Sequence, residues 1–113
     1  MILGVGVDIC QNNRIKTTLS ERILSSEEKI IFDQIKLETR RVEFLSGRFA
    51  VKEAIIKALS SLDYEIGIRN LVVLNDEKGI PYLSQPIFLD KKILISLSHE
   101  REYSVGYAIV ETI

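Results

Sequence analysis

The run FLSGRFAVKEAIIKAL, from Phe44 to Leu59, constrains the fold more than any other part of the chain because it predicts a long helix. At about 100° per residue, Glu53 and Lys57 share one face of that helix, and Arg48 and Lys52 share another. Apolar residues fill the angles between them, whereas an ordinary surface helix gathers its charges on one solvated side. The pattern therefore indicates a site or an interface. The alternative is a partly exposed helix that carries an i,i+4 Glu–Lys pair.

The rest of the pattern predicts an α+β domain, with one strand, then helices, then strands. An apolar, glycine-containing run from Leu3 to Ile9 predicts the first strand, with Asp8 near its end. Ser25 or Ser26 is expected to cap a helix with Glu27 and Glu28 in its first turn. The other predicted elements are a short helix or turn beginning near Asn12 or Asn13, the long helix from about Glu38 to about Leu59, a strand at IRNLVVL, a turn at NDEKG, an extended piece at IPYL, and strands at KILISLSH and YSVGYAIVE joined by a tight turn at HERE.

The last predicted strand has no polar face. One alternating set of its residues is apolar and the other is apolar or small: Val105, Tyr107 and Ile109 on one side, Gly106, Ala108 and Val110 on the other. Such a strand is usually covered on both sides. In a chain this short, the second cover can be another subunit.

Composition limits the classes of protein that this chain can belong to. Its 113 residues predict a single domain, 1–113, and its 15 basic residues nearly balance 16 acidic ones, which argues against a general polyanion binder. With one cysteine and one histidine, it can form no intramolecular disulfide, and a four-ligand zinc site would need other residue types. The apolar start lacks basic flanking residues and is interrupted by Asp8, so we expect a cytoplasmic protein.

Candidate site residues come from three parts of the chain. Three cations and one carboxylate on the long helix suit a ligand with several phosphates, and the carboxylate, Glu53, can hold a metal. Asp8 is either a second metal carboxylate or the cap of the following turn. His99, after the strand ILISLS, is either a site residue or a structural hydrogen-bonding group.

Three blocks of this sequence together resemble the bacterial holo-acyl-carrier-protein synthases, the small 4'-phosphopantetheinyl transferases. The blocks are GVGVDI with RI after it, FLSGRFAVKEAIIKAL, and SLSHEREYSVGYAIVE, and their order and approximate spacing match the family. The resemblance implies a long central helix packed on a mainly antiparallel sheet, and a trimer with each active site at a subunit boundary. It also implies transfer of the 4'-phosphopantetheine arm from coenzyme A to a serine of apo acyl carrier protein, in support of fatty acid or lipid biosynthesis.

The resemblance also implies a role for individual residues. Asp8, Glu53 and Lys57 form the catalytic group. By the same resemblance, Asp8 and Glu53 are Mg²⁺ ligands, Lys57 lies beside the pyrophosphate, Arg48 and Lys52 contact phosphates, His99 lies near bound coenzyme A, and Arg14 faces the carrier protein. The segment from Leu59 to Gly67 departs from the family, which has a glycine-containing loop there.

The reaction needs a group that removes the serine proton, and the sequence leaves its identity open. A metal-polarised water, Glu53 or a lysine with a depressed pKa are the alternatives, and we favour the water. Two other functions also stay open. One is a non-catalytic regulatory module that binds coenzyme A or a nucleotide, and the other is an oligomeric structural protein whose scattered charges form interface ion pairs.

Overall fold

The computed structural model describes residues 1–113 and places one long helix across a three-stranded antiparallel sheet. The α+β class is therefore confirmed. The helices and strands are β1 (Ile2–Gln11), α1 (Ser20–Ile23), α2 (Ser26–Gln34), α3 (Glu38–Ser60), β2 (Val72–Asn75), β3 (Pro81–Gln85), β4 (Lys91–His99) and β5 (Tyr103–Thr112), with 3-10 helices at Asn12–Arg14, Thr17–Leu19 and Ile68–Asn70.

The local start signals act as the sequence predicts. Ser25 caps α2: its side chain accepts a hydrogen bond from the Glu28 N–H, and the Glu28 carboxylate accepts one from the Ser25 N–H. The predicted strand at IRNLVVL is only half right, because Ile68–Asn70 forms a 3-10 turn and the strand begins at Val72.

The main sheet has the order β1–β5–β4, and β2 and β3 form a separate hairpin. Asp8 on β1 lies opposite Gly106 on β5, which in turn lies opposite Leu97 on β4. Since side chains alternate along a strand, Asp8 and Gly6 are on the side of the sheet that faces α3.

Helix α3 approaches the sheet closely because the residues at the contact points between them are glycines. A Cβ added at Gly6 would lie 2.9 Å from the carbonyl carbon of Ala54, and one at Gly106 would lie 2.5 Å from that of Ala50. Gly47 of α3 lies against Leu97 of β4 in the same layer. The helix thus crosses the sheet diagonally, from β4 over β5 to β1. Its buried apolar side chains form part of the hydrophobic core.

The opposite face of the sheet is not covered within this chain. Val5, Val7 and Ile9 of β1 are more than half exposed, and Tyr107 of β5 is 41% exposed. The expectation that both sides of the last strand are covered therefore holds for one side only in a single copy. None of the helices combines the length and apolarity that crossing a bilayer requires.

Candidate active site

A carboxylate cluster, formed by Asp8, Glu53 and Lys57, lies where α3 crosses β1. The Lys57 ammonium donates hydrogen bonds to Asp8 Oδ1 at 3.0 Å and to the carbonyl oxygen of Val7 at 3.1 Å. The side chain of Asp8 is 19% exposed and that of Lys57 is 54% exposed, and Glu53, one turn before Lys57, is half-buried. A ligand can therefore reach all three from solvent.

The two carboxylates of this cluster repel each other. Burial raises the pKa of Glu53, the charge of Asp8 raises it further, and the charge of Lys57 opposes both effects. A divalent cation would relieve that repulsion. No histidine, cysteine or further carboxylate joins Asp8 and Glu53. A Mg²⁺ ion there would therefore take its other ligands from substrate phosphates and water. The donor set fits Mg²⁺ in phosphoryl chemistry.

A second group of charged residues lines a cavity of about 360 Å³, here called the arginine cavity. Arg48 is 3% exposed and held on two sides: its Nε donates to the carbonyl oxygen of Val73 at 3.1 Å and its Nη2 to Asn75 Oδ1 at 3.4 Å. The guanidinium lies 4.5 Å from the centre of the Phe44 ring. The Nη1 nitrogen has no acceptor within the chain. The other polar lining residues are Arg40, Glu43, Asn75 and His99.

The prediction that Lys52 contacts phosphate is not supported by its position. Lys52 is fully buried, where its ammonium forms a direct ion pair with Glu28 and donates to the carbonyl oxygen of Ile23 at 2.8 Å. Burial lowers the pKa of Lys52, and the charge and hydrogen bond of Glu28 oppose that shift. The sequence correctly predicted that Lys52 shares a helix face with Arg48. At Lys52, however, α2 and β2 cover that face.

The two groups lie on different flanks of α3. Asp8 is on β1 and His99 ends β4, and β5 lies between those strands. Neighbouring strands are about 4.8 Å apart, so the two edge strands are separated by roughly 10 Å. Helix α3 occupies the space above them. One copy therefore does not bring the carboxylate cluster and the arginine cavity together.

Two residues near these groups were not identified from the sequence. Glu28 was interpreted only as a first-turn acid, although a lysine on an apolar helix face calls for a buried partner. Asn12 accepts hydrogen bonds from Ser46 and Ser104, and its amide donates to the carbonyl oxygens of Glu100 and Arg101. It thus fixes the turn that follows His99. The neighbouring Arg14 is exposed at the end of the 3-10 helix.

This small α+β domain carries an accessible pair of carboxylates and a basic cavity. Such groups are typical of proteins that bind phosphate esters. Comparison with known proteins makes the class specific. The chain belongs to the 4'-phosphopantetheinyl transferase superfamily, whose family model matches residues 4–109. The resemblance seen in the sequence is confirmed.

Relatives match over almost their whole length. The holo-[acyl-carrier-protein] synthase of Anoxybacillus flavithermus is 36% identical, with 98% of this chain and 97% of that protein aligned. The protein of the same name from Petrotoga mobilis is 41% identical, with 97% of each aligned. The crystal structure of the Bacillus anthracis holo-(acyl-carrier-protein) synthase, in complex with CoA (3',5'-ADP), has a TM-score of 0.87 and 34% identity, and covers 100% of this chain and 99% of that one.

Proposed function

We propose that this protein transfers the 4'-phosphopantetheine arm of coenzyme A to a serine hydroxyl of apo acyl carrier protein and releases adenosine 3',5'-bisphosphate. The observation that carries this proposal is the near full-length match to enzymes named for that activity, one of them solved in complex with CoA (3',5'-ADP). The carboxylate cluster supports it, because it supplies groups that phosphoryl transfer needs. The product, a holo carrier protein, would serve the synthesis of fatty acids or other lipids.

In this proposal Asp8 and Glu53 hold Mg²⁺, which when bound neutralises charge on the pyrophosphate as a Lewis acid. The serine oxygen bonds to the phosphorus that carries the pantetheine arm, and the bond from that phosphorus to the bridging oxygen breaks. The bisphosphate leaves with the electron pair. Lys57 donates both of its hydrogen bonds, to Asp8 and to Val7, so we assign it to charge stabilisation rather than to proton removal. Glu53 or a water molecule accepts the serine proton.

We assign the phosphates of the adenosine end to the arginine cavity. Arg48 offers a free Nη1 donor there, and Arg40 and His99 line the same space. Arginine suits this task because its planar fork matches the oxygen spacing of phosphate.

We further propose a homotrimer in which the carboxylate cluster of one copy faces the arginine cavity of the next. Two observations support it. The two groups lie on different flanks of α3, and the uncovered apolar side chains Val5, Val7 and Ile9 lie on β1, the strand that carries Asp8. Burying such a face against another copy removes apolar surface from water.

The activity is tested by incubating the protein with coenzyme A, Mg²⁺ and an apo carrier protein. The arm adds about 340 Da to the carrier, a mass difference that intact-protein mass spectrometry resolves. Glu53→Gln and Asp8→Asn should each lower the rate roughly a hundredfold or more, since each removes one carboxylate from the Lewis-acid site. Glu77→Gln, which removes an exposed carboxylate from the β2–β3 turn, is the matched control and should keep its rate. Binding of coenzyme A with no mass gain under any divalent metal would instead indicate the regulatory module.

The shared site is tested by mixing two inactive variants, Glu53→Gln and Arg48→Met, after unfolding and refolding together. In a trimer with sites between copies, random mixing leaves about one quarter of the sites with both halves intact. Activity at that level supports the shared site. If the mixture stays as inactive as its components, each site is built within one copy.

A further inference from the structure

Three charged side chains form a buried trio beneath the arginine cavity: Glu28 of α2, with Lys52 and Arg48 of α3. Glu28 and Lys52 have no exposed surface, and Arg48 is 3% exposed. Only Arg48 lines the cavity. The other two charges are part of the interior and have no role in the proposed reaction.

Glu28 forms a hydrogen-bonded ion pair with Lys52, whereas its ion pair with Arg48 has no hydrogen bond. Glu28 Oε1 accepts from the Lys52 ammonium and from the Ser25 N–H, and Glu28 Oε2 accepts from the Val73 N–H at 2.9 Å. Arg48 Nε lies 3.7 Å from Oε2, beyond hydrogen-bond distance, and donates to the Val73 carbonyl oxygen instead. Two cations therefore surround one carboxylate, and the trio retains one net positive charge.

We propose that Lys52 and Glu28 are positioning residues, which keep the charge of Arg48 available to a phosphate in the arginine cavity. Glu28 orders the Val73 backbone that in turn holds Arg48, and Lys52 neutralises Glu28. Without Lys52, Arg48 would be the nearest cation to Glu28. A buried carboxylate that loses its partner needs a new one, so Arg48 would pair with Glu28 at the expense of the ligand. This inference rests on the proposed role of Arg48 in holding coenzyme A.

The test measures the binding of coenzyme A and of adenosine 3',5'-bisphosphate by calorimetry, together with KM and kcat. Lys52→Met should weaken both ligands about tenfold, because Arg48 turns toward Glu28, with kcat at saturating coenzyme A changed less than about threefold. The double variant Lys52→Met/Glu28→Gln removes the competing carboxylate and should bind within about threefold of wild type. Lys29→Met removes an α2 lysine paired with Asp33 and controls for the loss of one positive charge.

Each binding result either supports or overturns the positioning role of Lys52 and Glu28. Unchanged binding of both ligands by Lys52→Met overturns the inference. A loss of affinity of more than about threefold in the double variant also overturns it, because a merely structural role of Lys52 would leave the double variant as weak as the single one. If Lys52→Met does not fold, Lys52→Gln and Lys52→Gln/Glu28→Gln take the place of the two variants, and the same outcomes decide. Arg48→Met separates the two proposals: unchanged binding in that variant refutes the phosphate role of the arginine cavity itself.

Discussion

The spacing between α3 and β1 sets the geometry of the carboxylate cluster, and the substitution Gly6→Ala tests that dependence. Asp8 lies two residues beyond Gly6 on β1, and Glu53 immediately precedes Ala54 on α3. A Cβ at Gly6 would lie 2.9 Å from the Ala54 carbonyl carbon, 3.0 Å from the Ala58 nitrogen, and closer still to the Ala54 carbonyl oxygen. All three are backbone atoms, so no side-chain rotation can relieve the contact.

The size of the effect follows from these distances. The contact with the Ala54 carbonyl oxygen is the tightest, and bringing it to an ordinary van der Waals distance requires helix and strand to separate by about 1 Å. Overpacking of this kind costs about 1–3 kcal/mol in the free energy of unfolding. A misplacement of 1 Å can cost about a hundredfold in rate, so Gly6→Ala predicts a loss of that order. Gly6→Ala should therefore lower both stability and turnover.

The measurements are urea unfolding followed by circular dichroism at fixed protein concentration, and the rate of mass gain by the carrier protein. Gly67→Ala is the matched control, because its Cβ would meet only the Asn70 side chain, at 3.6 Å, and the φ angle of Gly67 is −76°. That variant should be as stable as wild type or slightly more stable. If Gly6→Ala matches Gly67→Ala in both stability and rate, the close approach of α3 to β1 does not set the site geometry.

Three further predictions concern single charges. Asp8→Asn should lower the pKa of Glu53 and Lys57→Met should raise it, as measured by carboxyl NMR titration without metal, because Asp8 disfavours and Lys57 favours the ionised form. Since the folded-state pKa of Glu53 is raised, its stabilising contribution is complete below pH 4.5, the ordinary pKa, and is lost as pH rises through the folded-state value; Glu53→Gln should remove that dependence. Arg14→Glu should raise KM for the carrier protein while KM for coenzyme A is unchanged, and an equal rise in both would contradict a carrier-facing role.

The carboxylate cluster could be predicted because its signals are local. Glu53 and Lys57 are four residues apart on one helix, and Asp8 ends an apolar strand, so each is visible in a window of a few residues. Their proximity across β1 and α3 came from the resemblance rather than from the pattern. The structure places Lys57 Nζ 3.0 Å from Asp8, and whether the pair of carboxylates holds Mg²⁺ stays a prediction.

The interior position of Lys52 could not be predicted in the same way. Helical periodicity places Lys52 and Arg48 on a common face correctly, but it does not say which elements cover that face. The cover comes from Glu28, 24 residues away in the chain, and from Val73 of β2. The capping-box spacing of Ser25 and Glu28 marks Glu28 as a helix-start residue, but nothing in the local sequence marks it as the buried partner of Lys52.

The scattered charges of α3 follow from its position between the carboxylate cluster and the arginine cavity, to which we assign different parts of one ligand. Arg48 and Glu53 are five residues apart, which turns them about 140° around the helix and about 7.5 Å along it. A helix with its side chains is about 10 Å thick, so Arg48 and Glu53 of a single copy cannot both contact the same phosphate. In the proposed function, coenzyme A would either pass from the arginine cavity of one copy to the carboxylates of another or bend around α3 within one copy. The uncovered apolar side chains of β1, on the sheet face opposite Asp8, favour the first path, because they give a second copy a surface on which to pack at the same edge strand.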